Sequence, residues 1–232
     1  MHQISDKVFA KDFLFEVEIA TPLLPSPYEA YPYLLIENFL DENICKEIID
    51  TAQTDHDGIE ATLRSDKSTL NTQIRNTKIH KLSTRHQALY TSALESIRPQ
   101  VEKFFSLSLT QSTQPQLLEY TQGSFYKAHS DDSSVLLKDT QVMGFKQVAP
   151  QRKITTLLFL SEHTQEVTSP YQFSGGALSF TYFEDAEGKA IRFTPKMGSL
   201  IVFGSNPIYT HEVDEVTDGY RLTVAQWHDA LL

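Results

Sequence analysis

The sequence predicts an α+β protein, with a mostly helical first half and a second half built of short strands closed as a sandwich or barrel. Three observations carry this. Of nine glycines, only Gly58 lies before residue 120, and glycine marks tight turns and bulges. Apolar spacing is helical before about residue 110 and alternating after residue 115. The later half also holds eight short apolar runs separated by turn residues.

Taken in order, residues 1–30 read as an N-terminal extension that ends in TPLLPSPYEAYP. Pro22, Pro25, Pro27 and Pro32 favour an extended lead-in over a helix. YLLIENF, from Tyr33, reads as a short strand. LDENICKEIIDTAQ reads as a helix capped by Asp41, with Ile44/Ile48 and Cys45/Ile49 at spacing four. Residues 54–78 are polar and read as a loop region with one short strand. STRHQALYTSALESIRPQVEKFF reads as a long helix capped by Ser83, with Leu89, Ala93, Ile97, Val101 and Phe104 on its apolar face. Pro99 is expected to kink or split it. Strands follow at 116–120, 124–129, 153–160, 176–183, 190–194, 199–204, 209–213 and 221–227.

A chain of 232 residues suits one domain, here 31–232, with helical support over 31–110 and a β core over 115–232. The net charge of −10 argues against binding nucleic acid by phosphate neutralisation. The single cysteine, Cys45, excludes an internal disulfide and a multi-cysteine zinc site, and fits a reducing compartment. MHQISDKVFAKDF lacks a basic segment followed by an apolar run, so no signal peptide is expected. No apolar stretch reaches membrane-spanning length, and the cytoplasm is the expected location.

The chemistry concentrates in GSFYKAHSDDS, residues 123–133. A His-x-acid pair alone is weak, because eight histidines and 30 acidic residues give about one by chance. His129–Asp131 is the only such pair, and taken singly a satisfied turn pair would account for it. Three additions change the reading. In an extended chain, residues two apart share a face, so His129 and Asp131 can converge on one point. His211 lies on a later strand that a barrel can bring alongside. Arg221 opens the last strand, and an inward guanidinium matches a carboxylate in bidentate fashion. Two imidazoles and a carboxylate with open positions suit non-haem Fe(II). Asp132 reads as a solvated loop acid, with a supporting contact to the site as the alternative, and Tyr126 as either a pocket wall or a packing residue.

These residues resemble the 2-oxoglutarate- and Fe(II)-dependent dioxygenases, specifically the prolyl 4-hydroxylase-like group. The pattern Tyr-x-x-Gly-x-x-Tyr-x-x-His-x-Asp is matched by Tyr120, Gly123, Tyr126, His129 and Asp131. Arg-x-x-Thr is matched by Arg152 and Thr155, Gly-Gly-x-x-x-Phe by Gly175, Gly176 and Phe180, and Pro-x-x-Gly by Pro195 and Gly198. His211 and Val213, then Gly219 and Arg221, then Trp227 complete the order. YLLIENFLDENICKEII resembles the family's N-terminal strand and helix, and Arg75 more loosely its arginine stretch.

The resemblance implies a double-stranded β-helix, or jelly roll, behind supporting helices. It implies that His129, Asp131 and His211 bind Fe(II) and that Arg221 pairs with the distal carboxylate of 2-oxoglutarate, with Tyr120 and Thr155 lining that pocket. Phe159 stands where some relatives carry a hydroxylated ring, so Thr155 or another polar group would have to supply that contact. Tyr126, Trp227 and Arg152 are candidate substrate-pocket residues, Trp227 with a core role as the alternative. O2 is the second co-substrate and ascorbate an accessory reductant. The implied reaction hydroxylates a C–H bond, with succinate and CO2 as co-products, on a peptide or protein residue such as proline. A free amino acid or small metabolite is the alternative substrate. A non-catalytic jelly-roll metal module, or a hydrolase or isomerase using the same ligands, remains open from the residues alone. The connection from Ser133 to Gln151, long for a turn, reads as a lid, with 54–78 as a second flap.

Overall fold

The computed structural model describes residues 2–5, 8–10, 33–54, 59–60, 74–138, 141–185 and 187–231. The proline-rich lead-in of 11–32 and most of the expected second flap, 55–58 and 61–73, lie outside these. Short strands β1 (His2–Ser5), β2 (Val8–Ala10) and β3 (Leu34–Ile36) precede helix α1 (Glu42–Thr54). The Asp41 carboxylate accepts the Asn43 N–H at 2.8 Å and caps α1 as its sequence requires. Strands β4 (Ile59–Glu60), β5 (Arg75–Asn76) and β6 (Lys78–His80) lead to helix α2 (Thr84–Phe105). Then come β7 (Ser108–Ser112), β8 (Gln116–Tyr120), β9 (Phe125–His129), β10 (Ser133–Lys138), β11 (Gln141–Gln147) and β12 (Ile154–Phe159). Strands β13 (Glu162–His163), β14 (Gln172–Gly175), β15 (Leu178–Glu184), β16 (Ala190–Phe193) and β17 (Leu200–Gly204) follow. The chain closes with β18 (His211–Val213), β19 (Val216–Gly219) and β20 (Arg221–Leu231).

Two sheets face one another. The larger runs β3-β17-β12-β20-β8-β6-β4, with β7 paired to the far end of β20; the smaller runs β16-β15-β18-β9-β5. Alternation sorts the buried strands. On β20, Arg221, Thr223, Ala225 and Trp227 share one face, and Leu222, Val224, Gln226 and His228 the other. Leu222 and Val224 pack with Ile48, Ile49, Tyr90 and Leu94 of the helices. Ala225 and Trp227 pack between the sheets with Leu118, Phe159, Phe180 and Phe203. The fold is therefore the expected jelly roll with helices laid on one outer face.

Helix α2 departs from expectation twice. It runs unbroken through Pro99. Pro99 lies on the exposed side and forfeits one backbone hydrogen bond, while Arg98 pairs with Glu95 and Glu102 around it. The buried face is also turned by about one residue: Tyr90, Leu94, Val101 and Phe105 are buried, whereas Leu89 is 36% exposed. Counting wholly apolar residues missed His86 and Tyr90, whose polar atoms find partners when buried. The Ser133–Gln151 connection is a hairpin of β10 and β11 rather than an irregular loop, and β2 pairs with β11 beside it.

A polar chain crosses the helix-facing layer: Tyr90 Oη meets Thr156 Oγ1 (3.0 Å), Thr156 meets His228 Nε2 (2.9 Å), and His228 Nδ1 meets Ser112 Oγ (2.8 Å). His228 is wholly buried, and burial, aided by Arg98, pushes its pKa down to about 4 from 6.5. Between those values the unfolded imidazole holds a proton that the folded one lacks, so stability falls as pH falls through that window. Denaturant unfolding at about pH 5 is expected to give a stability lower by about 2 kcal/mol than at about pH 7 from this histidine alone. The difference should shrink in His228→Gln; an equal pH dependence in that variant would contradict the assignment.

Candidate active site

The site forms where β9 meets β18. His129 and His211 are direct cross-strand partners in that antiparallel pair. Each ring is oriented the same way: Nδ1 of His129 meets the Lys127 carbonyl and Nδ1 of His211 the Tyr209 carbonyl, both at 2.9 Å. A carbonyl only accepts, so both Nδ1 atoms carry hydrogen and both Nε2 lone pairs are left free for a ligand. Asp131 approaches both, with Oδ1 3.8 Å from His129 Nε2 and Oδ2 4.0 Å from His211 Nε2. The three donor atoms lie within 4.8 Å of one another, the one such group among the described residues.

Asp131 is held from several sides. Its N–H and that of Asp132 both donate to the Ser205 carbonyl at 3.1 Å. Thr155 Oγ1 donates to its Oδ2 at 2.7 Å and meets Ser205 Oγ at 2.8 Å. Arg152 Nη1 donates to its carbonyl at 3.1 Å. Burial pushes the Asp131 carboxyl up, but His211, His129 and the Thr155 hydroxyl outweigh it and hold the group below its usual range. Burial, reinforced by His211, pushes His129 down to about 3. A charged carboxylate beside a neutral imidazole is the protonation state a divalent cation needs, so the residues fit Fe(II).

Arg221 is 1% exposed. Its Nε donates to the Gly176 carbonyl at 2.9 Å, and its guanidinium carbon lies 4.6 Å from the Tyr120 ring, 5.6 Å from Phe159 and 5.8 Å from Phe173. Nη1 and Nη2 are buried with no hydrogen-bond partner among the described residues. Burial lowers the arginine's pKa and Tyr120 opposes that. A buried cation with two open donors calls for a carboxylate, and so fits the distal end of 2-oxoglutarate.

The other expected residues are placed as follows. Tyr120 is the cross-strand partner of Arg221 and fully buried beside it. Thr155, read as a co-substrate contact, spends its hydroxyl on Asp131 and Ser205. Tyr126 stacks on His129, with centroids 3.5 Å apart. Arg152 lies over the Trp227 ring at 3.9 Å, and Trp227 belongs to the inter-sheet core. Asp132 corrects the sequence reading, because it is 2% exposed rather than solvated. Its carboxylate accepts from Ser133 Oγ (2.6 Å) and Gln147 Nε2 (2.9 Å), and its carbonyl from the Val148 and Ala149 N–H groups. Asp132 thus ties down the base of the β10–β11 hairpin. Thr223 was missed: its buried Oγ1 has no partner among the described residues, and it shares a strand face with Arg221. The two-residue spacing from Arg221 was the available signal.

Residues 115–229 match the family described as the 2OG-Fe(II) oxygenase superfamily. This part of the chain belongs to that superfamily. The enzyme is a 2-oxoglutarate-dependent dioxygenase. Its fold is shared with solved structures at low identity. A Pseudomonas putida prolyl-4-hydroxylase is 20% identical with a TM-score of 0.61, covering 86% of this chain and 93% of its own. A Trichoplax adhaerens prolyl hydroxylase, solved with a hypoxia inducible factor oxygen degradation domain peptide fragment, is 19% identical with a TM-score of 0.59, covering 85% and 83%. A viral collagen prolyl hydroxylase from Paramecium Bursaria Chlorella virus-1, solved as its 2OG complex, is 18% identical with a TM-score of 0.56, covering 87% and 98%. Comparison with curated proteins finds no match.

Because Thr155 orients the carboxylate that faces both imidazoles, Thr155→Val should weaken Fe(II) binding by about 10-fold or more. Anaerobic chelator competition measures this; parent-like affinity in a folded variant would contradict the orienting role.

Proposed function

We propose that this dioxygenase hydroxylates an unactivated C–H bond on a peptidyl residue, proline being the first candidate, and releases succinate and CO2. The observation that carries the co-substrate half is Arg221, a buried guanidinium with two open donors in the same barrel as the His-Asp-His cluster. A structural metal cup needs no buried carboxylate anchor, and neither does a hydrolase or isomerase using the same ligands. The peptide half is supported by the three solved structures named above, each a prolyl hydroxylase and one of them in complex with a peptide fragment. It is also supported by the hairpin beside Asp131, which exposes Val135, Leu136, Leu137 and Met143.

In this reading the chain's residues divide the work. His129 and His211 offer ring nitrogens and Asp131 a carboxylate oxygen, and Thr155 and Ser205 hold that oxygen in place. Bound Fe(II) would supply the oxygen chemistry that no side chain provides. Arg221, with the Thr223 hydroxyl beside it, receives the distal carboxylate. Tyr120, Phe159 and Phe173 wall off water around that charge pair. Arg152, Trp227 and Tyr126 form the wall offered to substrate. Ascorbate belongs to the proposal as an accessory reductant.

Fe(II) and 2-oxoglutarate without oxygen should give a weak visible charge-transfer band, followed by succinate once oxygen is admitted. His129→Ala and Arg221→Ala should each lower succinate formation by about 100-fold or more. Succinate at the parent rate in either variant would sink the site assignment. In lysate, peptides that gain the mass of one oxygen only when the enzyme is present would support a peptidyl substrate. The same gain confined to small metabolites would overturn it.

Deleting residues 134–148 should raise succinate formed without hydroxylated product, since the hairpin would no longer cover bound substrate. Unchanged coupling and substrate affinity would refute the lid.

A further inference from the structure

We infer that Arg75 is a positioning residue for His129, acting through the ring of Tyr126, and that retention of Fe(II) depends on this stack. The inference rests on reading His129, Asp131 and His211 as the metal site. The two imidazoles are braced unequally. His211 meets Phe203 and Phe180 edge-on, at 4.9 and 6.0 Å between centroids, and both phenyl rings are wholly buried. The His129 side chain is 17% exposed, and no phenylalanine ring meets it among the described residues. Besides its Nδ1 hydrogen bond and the tilted His211 ring at 4.4 Å, its bracing comes from Tyr126, whose ring lies nearly parallel to it at 16° and 3.5 Å.

Tyr126 is in turn held by Arg75. The guanidinium carbon lies 4.6 Å from the Tyr126 ring centroid. Arg75 and Tyr126 are direct partners in the β5–β9 ladder, and the Lys127 N–H donates to the Ile74 carbonyl at 2.9 Å. Arg75 Nε donates to Thr77 Oγ1 at 2.7 Å, and Thr77 is buried, so the guanidinium is aimed rather than free to swing. A planar cation on an aromatic ring attracts it electrostatically, and a guanidinium also stacks where an ammonium does not. Burial keeps the Tyr126 phenol neutral, pushing its pKa up to about 12.

The order cation, phenol, imidazole therefore runs from a short outer strand to a metal ligand. Removing the cation loosens the phenol, and loosening the phenol lets the imidazole tilt about its remaining hydrogen bond. The expected consequence is faster metal loss, with the other two ligands unchanged.

The test uses the full chain loaded with Fe(II) without oxygen, with released iron timed by a chromogenic Fe(II) chelator. Arg75→Met, which keeps an apolar stem, and Tyr126→Leu should release iron about 10-fold faster than the parent. Tyr126→Phe, which keeps the ring, should release it at the parent rate, and Arg75→Lys should fall between. Melting temperatures of the metal-free variants provide the control, since a merely structural role would lower them without reordering the release rates. Release from Arg75→Met within about two-fold of the parent would overturn the inference while leaving the metal site intact. A parent that retains no Fe(II) would overturn the metal reading itself, and this inference with it.

Discussion

The register between β9 and β18 is the constraint on which the site depends. Side chains alternate along a strand, so a slip of one residue would turn an imidazole from the barrel interior to its outside. Several contacts fix that register. Leu178 and Phe180 of β15 pair with Val213 and His211, and Val213 reaches across a register shift to Tyr126. Asp131 then needs no strand of its own. Two consecutive N–H groups on one Ser205 carbonyl hold it at the end of β9.

Buried polar groups in this molecule divide by how they are settled. His228 is neutral and hydrogen-bonded at both ring nitrogens, within a chain that reaches Tyr90. Asp132 collects two side-chain and two backbone donors. Glu119 sits on the outer face of β8 and takes His80 Nε2 at 2.8 Å and Tyr220 Oη at 2.9 Å. Arg221 differs, because two of its nitrogens and the neighbouring Thr223 hydroxyl have no hydrogen-bond partner among the described residues. Buried donors are ordinarily paired, and exceptions clustered on one strand face mark where a ligand belongs.

The strand pattern and the convergence of His129 with Asp131 were legible in the sequence because each rests on local order, whereas the jelly roll and the grouping with His211 were expected from the family resemblance. A strand end brings His129 and Asp131 to one face, and turn glycines announce where strands stop. Helix ends were legible for the same reason, in Asp41 and Ser83. What was not legible depends on tertiary partners. Asp132 looks like any loop acid until Gln147 and the backbone at 148–149 fold back on it. Thr155 and Thr223 look interchangeable as hydroxyl donors, and only the packing shows that one is spent on Asp131 while the other is open. The Ser133–Gln151 hairpin was hidden because its strands leave apolar side chains exposed, so their alternation marks no buried face.

Gly176 bears on where the Arg221 side chain is seated. Its carbonyl holds Arg221 Nε, and a Cβ there would stand 3.0 Å from Arg221 Cδ and 2.9 Å from Val216 Cγ2, at a φ of +58°. The guanidinium is therefore seated against backbone, in a conformation few other residues adopt. A group seated on a side chain can be shifted by exchanging that side chain. Here the seat is main chain, so the position of the guanidinium is written into the turn geometry, and point substitution at residue 176 offers no gradual way to shift it.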